Sequence, residues 1–174
     1  MSIDIFKNSF KKGTVTEKLD LAGIGPSPEI KLMGEELRKT IHDKFGRSFH
    51  IREVDTGSCG ACESEIIACS NPIYDIQRFG IDFVASPRHA DALLVTGPVS
   101  KNMAIALKKT YDAMPGPKFV ITLGDCGKAG GTFKESYYIA GGVEKVLSVD
   151  LHIPGCPPTP TDIIKSLLSF LRHA

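Results

Sequence analysis

Cys59 and Cys62 form a Cys-x-x-Cys pair, and two more cysteines stand alone in turn-forming surroundings, Cys126 in Gly-Asp-Cys-Gly and Cys156 in Pro-Gly-Cys-Pro-Pro. A close pair plus two distant single thiols supplies the four thiolates of a cubane 4Fe-4S cluster. Gly57, Gly60, Gly124, Gly127, Gly130, Gly131 and Gly155 strip side chains from these loops, so backbone N–H groups can approach sulfur. Pro157 and Pro158 stiffen the turn after Cys156. Three other chemistries use the same residues. Four thiolates also make a tetrahedral zinc site, though usually as two short-spaced pairs in a small domain. Cys59 and Cys62 alone would suit thiol–disulfide exchange, and Cys126 and Cys156 could be small buried core residues. Cys69 lies seven residues after Cys62 on the same expected helix and is expected to be a packing thiol.

For the thiols to act together, loops far apart in sequence must converge. Strand-like runs are expected at 48–54, near 82 and at 92–96 on either side of the loop 86–89, at 118–123 and at 146–153. Helical periodicity appears from Pro28 to Gly46, where Ile30, Met33, Leu37, Ile41 and Phe45 share one face, and again over 62–70, 101–114 and 161–171. Strands alternating with helices predict an α/β domain: an open parallel sheet with helices on both faces. Cys59 and Cys62, Cys126 and Cys156 then follow the ends of three different strands. Loops at the carboxyl ends of parallel strands gather along one edge, where such sheets bind ligands. Residues 1–27 show no sustained period and are expected to be an arm, leaving 28–174 as a single domain.

Composition narrows the function. With 21 Lys plus Arg against 20 Asp plus Glu, the chain carries a formal charge of +1 and no basic footprint for nucleic acid. Its apolar runs fall far short of the roughly 20 residues that span a bilayer, and the N-terminus lacks the apolar core of a secretory signal. A cytoplasmic chain with an odd number of cysteines is expected to use them for metal or redox chemistry rather than as a disulfide framework. The stretch from Gly124 to Thr132 resembles a phosphate loop, but Gly131 stands where its lysine belongs. Glu63 and Glu65 follow the Cys-x-x-Cys; they suit the positive end of a helix, and Glu63 is also a candidate proton relay. His89 is considered for the thiol edge, and Arg78 for a pocket or a surface ion pair.

Five segments together resemble one family: GSCGACESEI from Gly57, YDIQRFG from Tyr74, SPRHAD from Ser86, GDCG from Gly124 and IPGCPPTP from Ile153. They are similar, in order, to the small cluster-bearing subunit of energy-converting group 4 membrane-bound NiFe hydrogenases, in the superfamily of the complex I 20 kDa subunit. The resemblance implies a flavodoxin-like domain with one 4Fe-4S cluster on Cys59, Cys62, Cys126 and Cys156. It implies an electron-transfer subunit, not catalytic alone, between a ferredoxin-like 4Fe-4S subunit and the NiFe site of a large subunit that reduces protons or oxidises hydrogen. Membrane subunits would hold the complex on the inner face of the cell membrane. Complex I subunits place two cysteines side by side at the first ligand position, whereas Gly60 and Ala61 separate Cys59 from Cys62 here. The hydrogenase type is therefore expected, with a complex I-like quinone oxidoreductase as the alternative. A dithiol oxidoreductase and a zinc-stabilised interaction module are the alternatives from other classes.

Overall fold

The structure is a computed structural model that describes residues 27–174. Of the arm expected over 1–27, only Ser27 lies within them, and it caps the first helix. Helix α1 (Pro28–Phe45) begins where the Ser27 hydroxyl accepts a hydrogen bond from Ile30 N, and it ends at Gly46, the stop expected from the sequence, which is left-handed.

Strands β1 (Phe49–Asp55), β2 (Ile81–Phe83), β3 (Ala92–Thr96), β5 (Phe119–Leu123) and β7 (Leu151–Ile153) form one parallel sheet in the order β2-β1-β3-β5-β7. Numbered by their own succession the five strands run 2-1-3-4-5, the flavodoxin-like order. The register is continuous: Val54 pairs with Val95, Val95 with Thr122, and Thr122 with His152. Every residue of β3 is buried, as a central parallel strand covered on both faces must be.

One face packs Phe49, Ile51, Leu94 and Ile121 against α1, α2 (Ala61–Cys69) and α5 (Pro160–His173). The other packs Val54, Leu93, Val95 and Val120 against Leu107 of α3 (Lys101–Asp112), Val143 and Leu147. Helices thus cover both faces. Gly34 of α1 is buried under the ring of Phe79, which any Cβ there would overlap.

The last strand is shorter than the expected 146–153. Val143–Lys145 forms a 3-10 turn, and Val146 and Leu147 pack in the second apolar layer rather than joining the ladder. Two elements were not anticipated: a short helix α4 (Gly124–Ala129), and an antiparallel pair of β4 (Val99–Ser100) with β6 (Ile139–Gly141). The first is rich in glycine and the second too short for any period to register.

Candidate metal centre

Three sheet-end loops build the centre. After β1, the Asp55 carboxylate accepts hydrogen bonds from Gly57 N and Ser58 N, both at 2.7 Å, folding the chain back so that Cys59 stands at the edge. Buried Thr56 locks this turn to its neighbour: its hydroxyl donates to Thr96 O at 2.8 Å, and Thr56 N bonds Thr96 O at 3.0 Å. Gly60 then caps α2, which carries Cys62 in its first turn.

The β5 and β7 loops are tied together reciprocally. Asp125 N donates to Gly155 O at 2.9 Å, and Gly155 N donates to the Asp125 carboxylate at 3.1 Å. This clamp holds Cys126 beside Cys156. Asp55, Thr56 and Asp125 were not singled out by sequence reasoning, although Asp-Thr-Gly-Ser carries the signal of a side-chain-closed turn.

Cys59, Cys62, Cys126 and Cys156 all line one hollow, together with Ser58, Gly97, Asp125 and Gly155. Cys62 is its buried floor, Cys126 is half-buried, and Cys59 and Cys156 are exposed at its mouth. Cys69 is fully buried in the apolar core on the α1/α5 side and takes no part.

Glycine is required where these loops crowd the thiols. Gly124 has φ +84, and a Cβ there would stand 2.8 Å from Cys62 Sγ; a Cβ on Gly131 would overlap Cys126 Sγ. Gly60, by contrast, has open space around it. The glycine-stripped surroundings expected of a bulky inorganic ligand are therefore present at Gly124 and Gly131.

Electrostatics follow from this crowding. Burial pushes the Cys62 thiol up to about 12, and the nearby Glu63 charge and the other three thiols add to the rise. Cys126 is raised by burial first and by Cys156 next. Such thiols carry protons near neutral pH, and binding a metal would displace them. Among the described residues no three His, Cys, Asp or Glu side chains converge as a single ion requires. The four thiols line one hollow. That donor set fits a cubane cluster, with Cys59, Cys62, Cys126 and Cys156 as the residues that would hold it.

Glu63 follows Cys62 directly, yet it lines a different pocket, with Arg52, Glu53, Ile66, Ile67, Phe83, Val84 and Ala85. Burial raises the Glu53 carboxylate; a hydrogen bond from the Thr96 hydroxyl at 3.1 Å opposes the rise, the Glu63 and Asp55 charges add to it, and the Arg52 charge counters them. His89 does not reach the thiol edge. The loop descends from the end of β2 to the start of β3, leaving the His89 carbonyl 3.0 Å from His50 Nδ1 at the beginning of β1. Arg78 is at that lower edge too, 3.7 Å from Asp75 and over the Phe79 ring, the surface pairing considered for it.

The sequence model of the family described as NADH ubiquinone oxidoreductase, 20 Kd subunit, matches residues 59–170, a span that contains all four thiols of the hollow. The chain belongs to this family. Members of the 20 kDa-subunit family are subunits of oxidoreductase complexes, hydrogenases and NADH-quinone oxidoreductases among them. This member is 44% identical over 124 residues to formate hydrogenlyase subunit 7 of Escherichia coli, covering 71% of this chain and 49% of that protein. It is 44% identical over 128 residues to a probable membrane-bound hydrogenase subunit, mbhJ, of Pyrococcus furiosus, covering 74% of this chain and 77% of that one. Among solved structures it is similar to a chain of the membrane-bound sulfane sulfur reductase, an archaeal respiratory membrane complex. That match has a TM-score of 0.65 and 29% identity and covers 79% of this chain and 75% of the other. Among the described residues no helix is long and apolar enough to cross a membrane.

Proposed function

We propose that this chain is the electron-transfer small subunit of an energy-converting NiFe hydrogenase complex. It would carry one 4Fe-4S cluster on Cys59, Cys62, Cys126 and Cys156. The observation that carries the reading is the convergence of four thiols from three sheet-end loops on one hollow with a buried floor and an exposed mouth.

When bound, the cluster supplies one-electron transfer. The chain's own residues supply the rest. Cys62 anchors it from inside, the Asp125–Gly155 clamp fixes the separation of Cys126 and Cys156, and the glycines leave room for it. The open side at Cys59 and Cys156 is where a large subunit with its NiFe site would approach. Electrons would arrive from a ferredoxin-like 4Fe-4S subunit. With no spanning helix among the described residues, attachment to the inner face of the cell membrane would be peripheral, through membrane subunits of the complex. The similarity to formate hydrogenlyase and membrane-bound hydrogenase subunits supports this arrangement. Glu63, half-buried with both carboxylate oxygens closed to solvent, is the residue proposed to handle a proton near the cluster.

The test is anaerobic purification with iron and acid-labile sulfide analysis. Four iron and four sulfide per chain are expected. Zinc without sulfide would refute the reading. Cys126→Ser and Cys156→Ser lose the iron, whereas Cys69→Ala keeps it. Hydrogen evolution from a reduced viologen by the co-purified complex separates the hydrogenase reading from a complex I-like quinone reductase.

A further inference from the structure

Aromatic side chains that a folded domain leaves in water, gathered in one place, mark a surface that another molecule covers. Among the described residues the exposed ones all fall in a single stretch: Phe133, Tyr137 and Tyr138 are 41%, 87% and 39% exposed, and every other described phenylalanine or tyrosine is buried or half-buried. The Tyr137 and Tyr138 rings meet edge to face, with centroids 6.1 Å apart. Exposed Thr132, Lys134, Glu135 and Ser136 alternate with them, so the aromatic centre has a polar rim.

This stretch is built on the rim of the thiol hollow. It leaves α4, the helix of Cys126, through Gly130 and Gly131, and Gly131 lies against the Cys126 sulfur. Phe133 is two residues further on, so its Cα is within about 7 Å of the Gly131 Cα. The chain then returns to the same place. β6 pairs with β4, which follows Gly97 of the hollow, and Gly142 packs so closely on Lys128 O of α4 that a Cβ would overlap it. Between these ends the path is fixed by backbone hydrogen bonds: Phe133 N donates to Gly130 O at 3.1 Å, Ser136 N to Phe133 O at 3.0 Å, Ile139 N to Ser136 O at 3.1 Å and Lys101 N to Tyr138 O at 3.0 Å. The backbone that carries the rings is therefore ordered before any contact is made, which lowers the cost of association.

Resting on the reading above that a large subunit closes the mouth of the hollow, we propose that Phe133, Tyr137 and Tyr138 anchor that same subunit. Their rings enter apolar pockets on it, and the pocket rims supply hydrogen-bond partners for the two phenol groups. Continuity selects the occupant: the aromatic stretch grows from the loop that holds Cys126, so a polypeptide covering the exposed Cys59 and Cys156 has it within reach. Exposed tyrosines also suit a lipid surface. Here Lys134 is balanced by Glu135, leaving no cationic excess to attract anionic lipid, and a bilayer on this patch would crowd the hollow against a protein electron acceptor.

The test uses the intact complex, captured through a tag on this chain and diluted stepwise before elution. Tyr137→Ser and Phe133→Ser are each expected to weaken retention of the large subunit by about 10-fold or more, as loss of a buried aromatic anchor does, and Tyr137→Phe to restore most of it. Iron, sulfide and melting temperature of the Tyr137→Ser chain stay at wild type, because that ring is 87% exposed and touches little of the core. Wild-type retention of the large subunit in the Phe133→Ser/Tyr137→Ser double variant overturns the proposal. So does loss of a different subunit while the large one stays bound. Flotation with vesicles of phosphatidylglycerol and phosphatidylethanolamine that Tyr137→Ser abolishes, with subunit retention unchanged, assigns the patch to lipid and also overturns it. A wild-type chain that binds no iron, yet loses the large subunit on Tyr137→Ser, refutes the electron-carrier reading and leaves the anchor standing; full iron with unchanged retention does the reverse.

Discussion

Gly124 and Gly60 make a matched pair that isolates what crowding at the thiols contributes. Both are left-handed, with φ +84 and +86, so alanine at either position pays the same backbone penalty, roughly 1–2 kcal/mol. They differ in what a Cβ meets. At Gly60 it meets nothing within 4 Å; at Gly124 it stands 2.8 Å from Cys62 Sγ and 3.3 Å from Gly155 O. Carbon–sulfur contact at that separation is far shorter than the roughly 3.5–4.0 Å at which such atoms attract, so it is repulsive and must be relieved by moving either Cys62 or the β7 loop. Overpacking of this kind destabilises by about 1–3 kcal/mol. Gly60→Ala should therefore lower the melting temperature modestly. Gly124→Ala should lower it by a further ~4–8 °C for an excess of about 2 kcal/mol in a domain of this size. Because the displaced groups include one thiol and the neighbour of another, Gly124→Ala should also bind less iron and sulfide per chain, while Gly60→Ala binds a full complement. Thermal melts by circular dichroism and iron analysis on anaerobically purified protein read both quantities. Equal melting temperatures and equal iron in the two variants would refute the reasoning.

Asp125→Ala removes the acceptor for Gly155 N and should speed iron release under a chelator, whereas Asp125→Asn retains an acceptor and should be closer to wild type. His152, held low by burial and by Lys128, contacts the Thr122 hydroxyl at 3.0 Å. Its folded value lies below its unfolded value of 6.5, so the stabilisation is complete above about pH 6.5 and declines as the pH falls through the folded value. Denaturant titrations should show that decline, and His152→Gln should flatten it. At the start of α5, Thr159 and Asp162 form a reciprocal capping box whose hydrogen bonds hold the Asp162 carboxyl below its usual 3.8. Thr159→Ala should destabilise by about 1 kcal/mol, measured by denaturant midpoint, with iron binding unchanged. The cap's contribution should disappear as acid protonates Asp162.

Much of the fold was legible because local periodicity reports burial. The face of α1 from Ile30 to Ile41, the β-branched runs of β1, β3 and β5, and Gly46 as a stop all appear where the sequence pattern puts them. Val146 and Leu147 misled because an apolar pair packs equally well in a strand or in a turn beneath a helix, and only the neighbouring layer decides. The thiols were legible as chemistry for a different reason. Cysteine in glycine and proline turns after strands is a local feature, and strand order supplies the rest.

By itself the sequence set four thiols in glycine and proline turns apart from a packing Cys69, and carried the alternation that makes a parallel sheet. The tertiary structure decided which side chains share a cavity. Asp125 and Gly155 meet because β5 and β7 are adjacent and in register, a long-range pairing that no local period encodes. Glu63 illustrates the same limit. One residue from Cys62, it nonetheless lines a second pocket, because consecutive residues on a helix point about 100° apart.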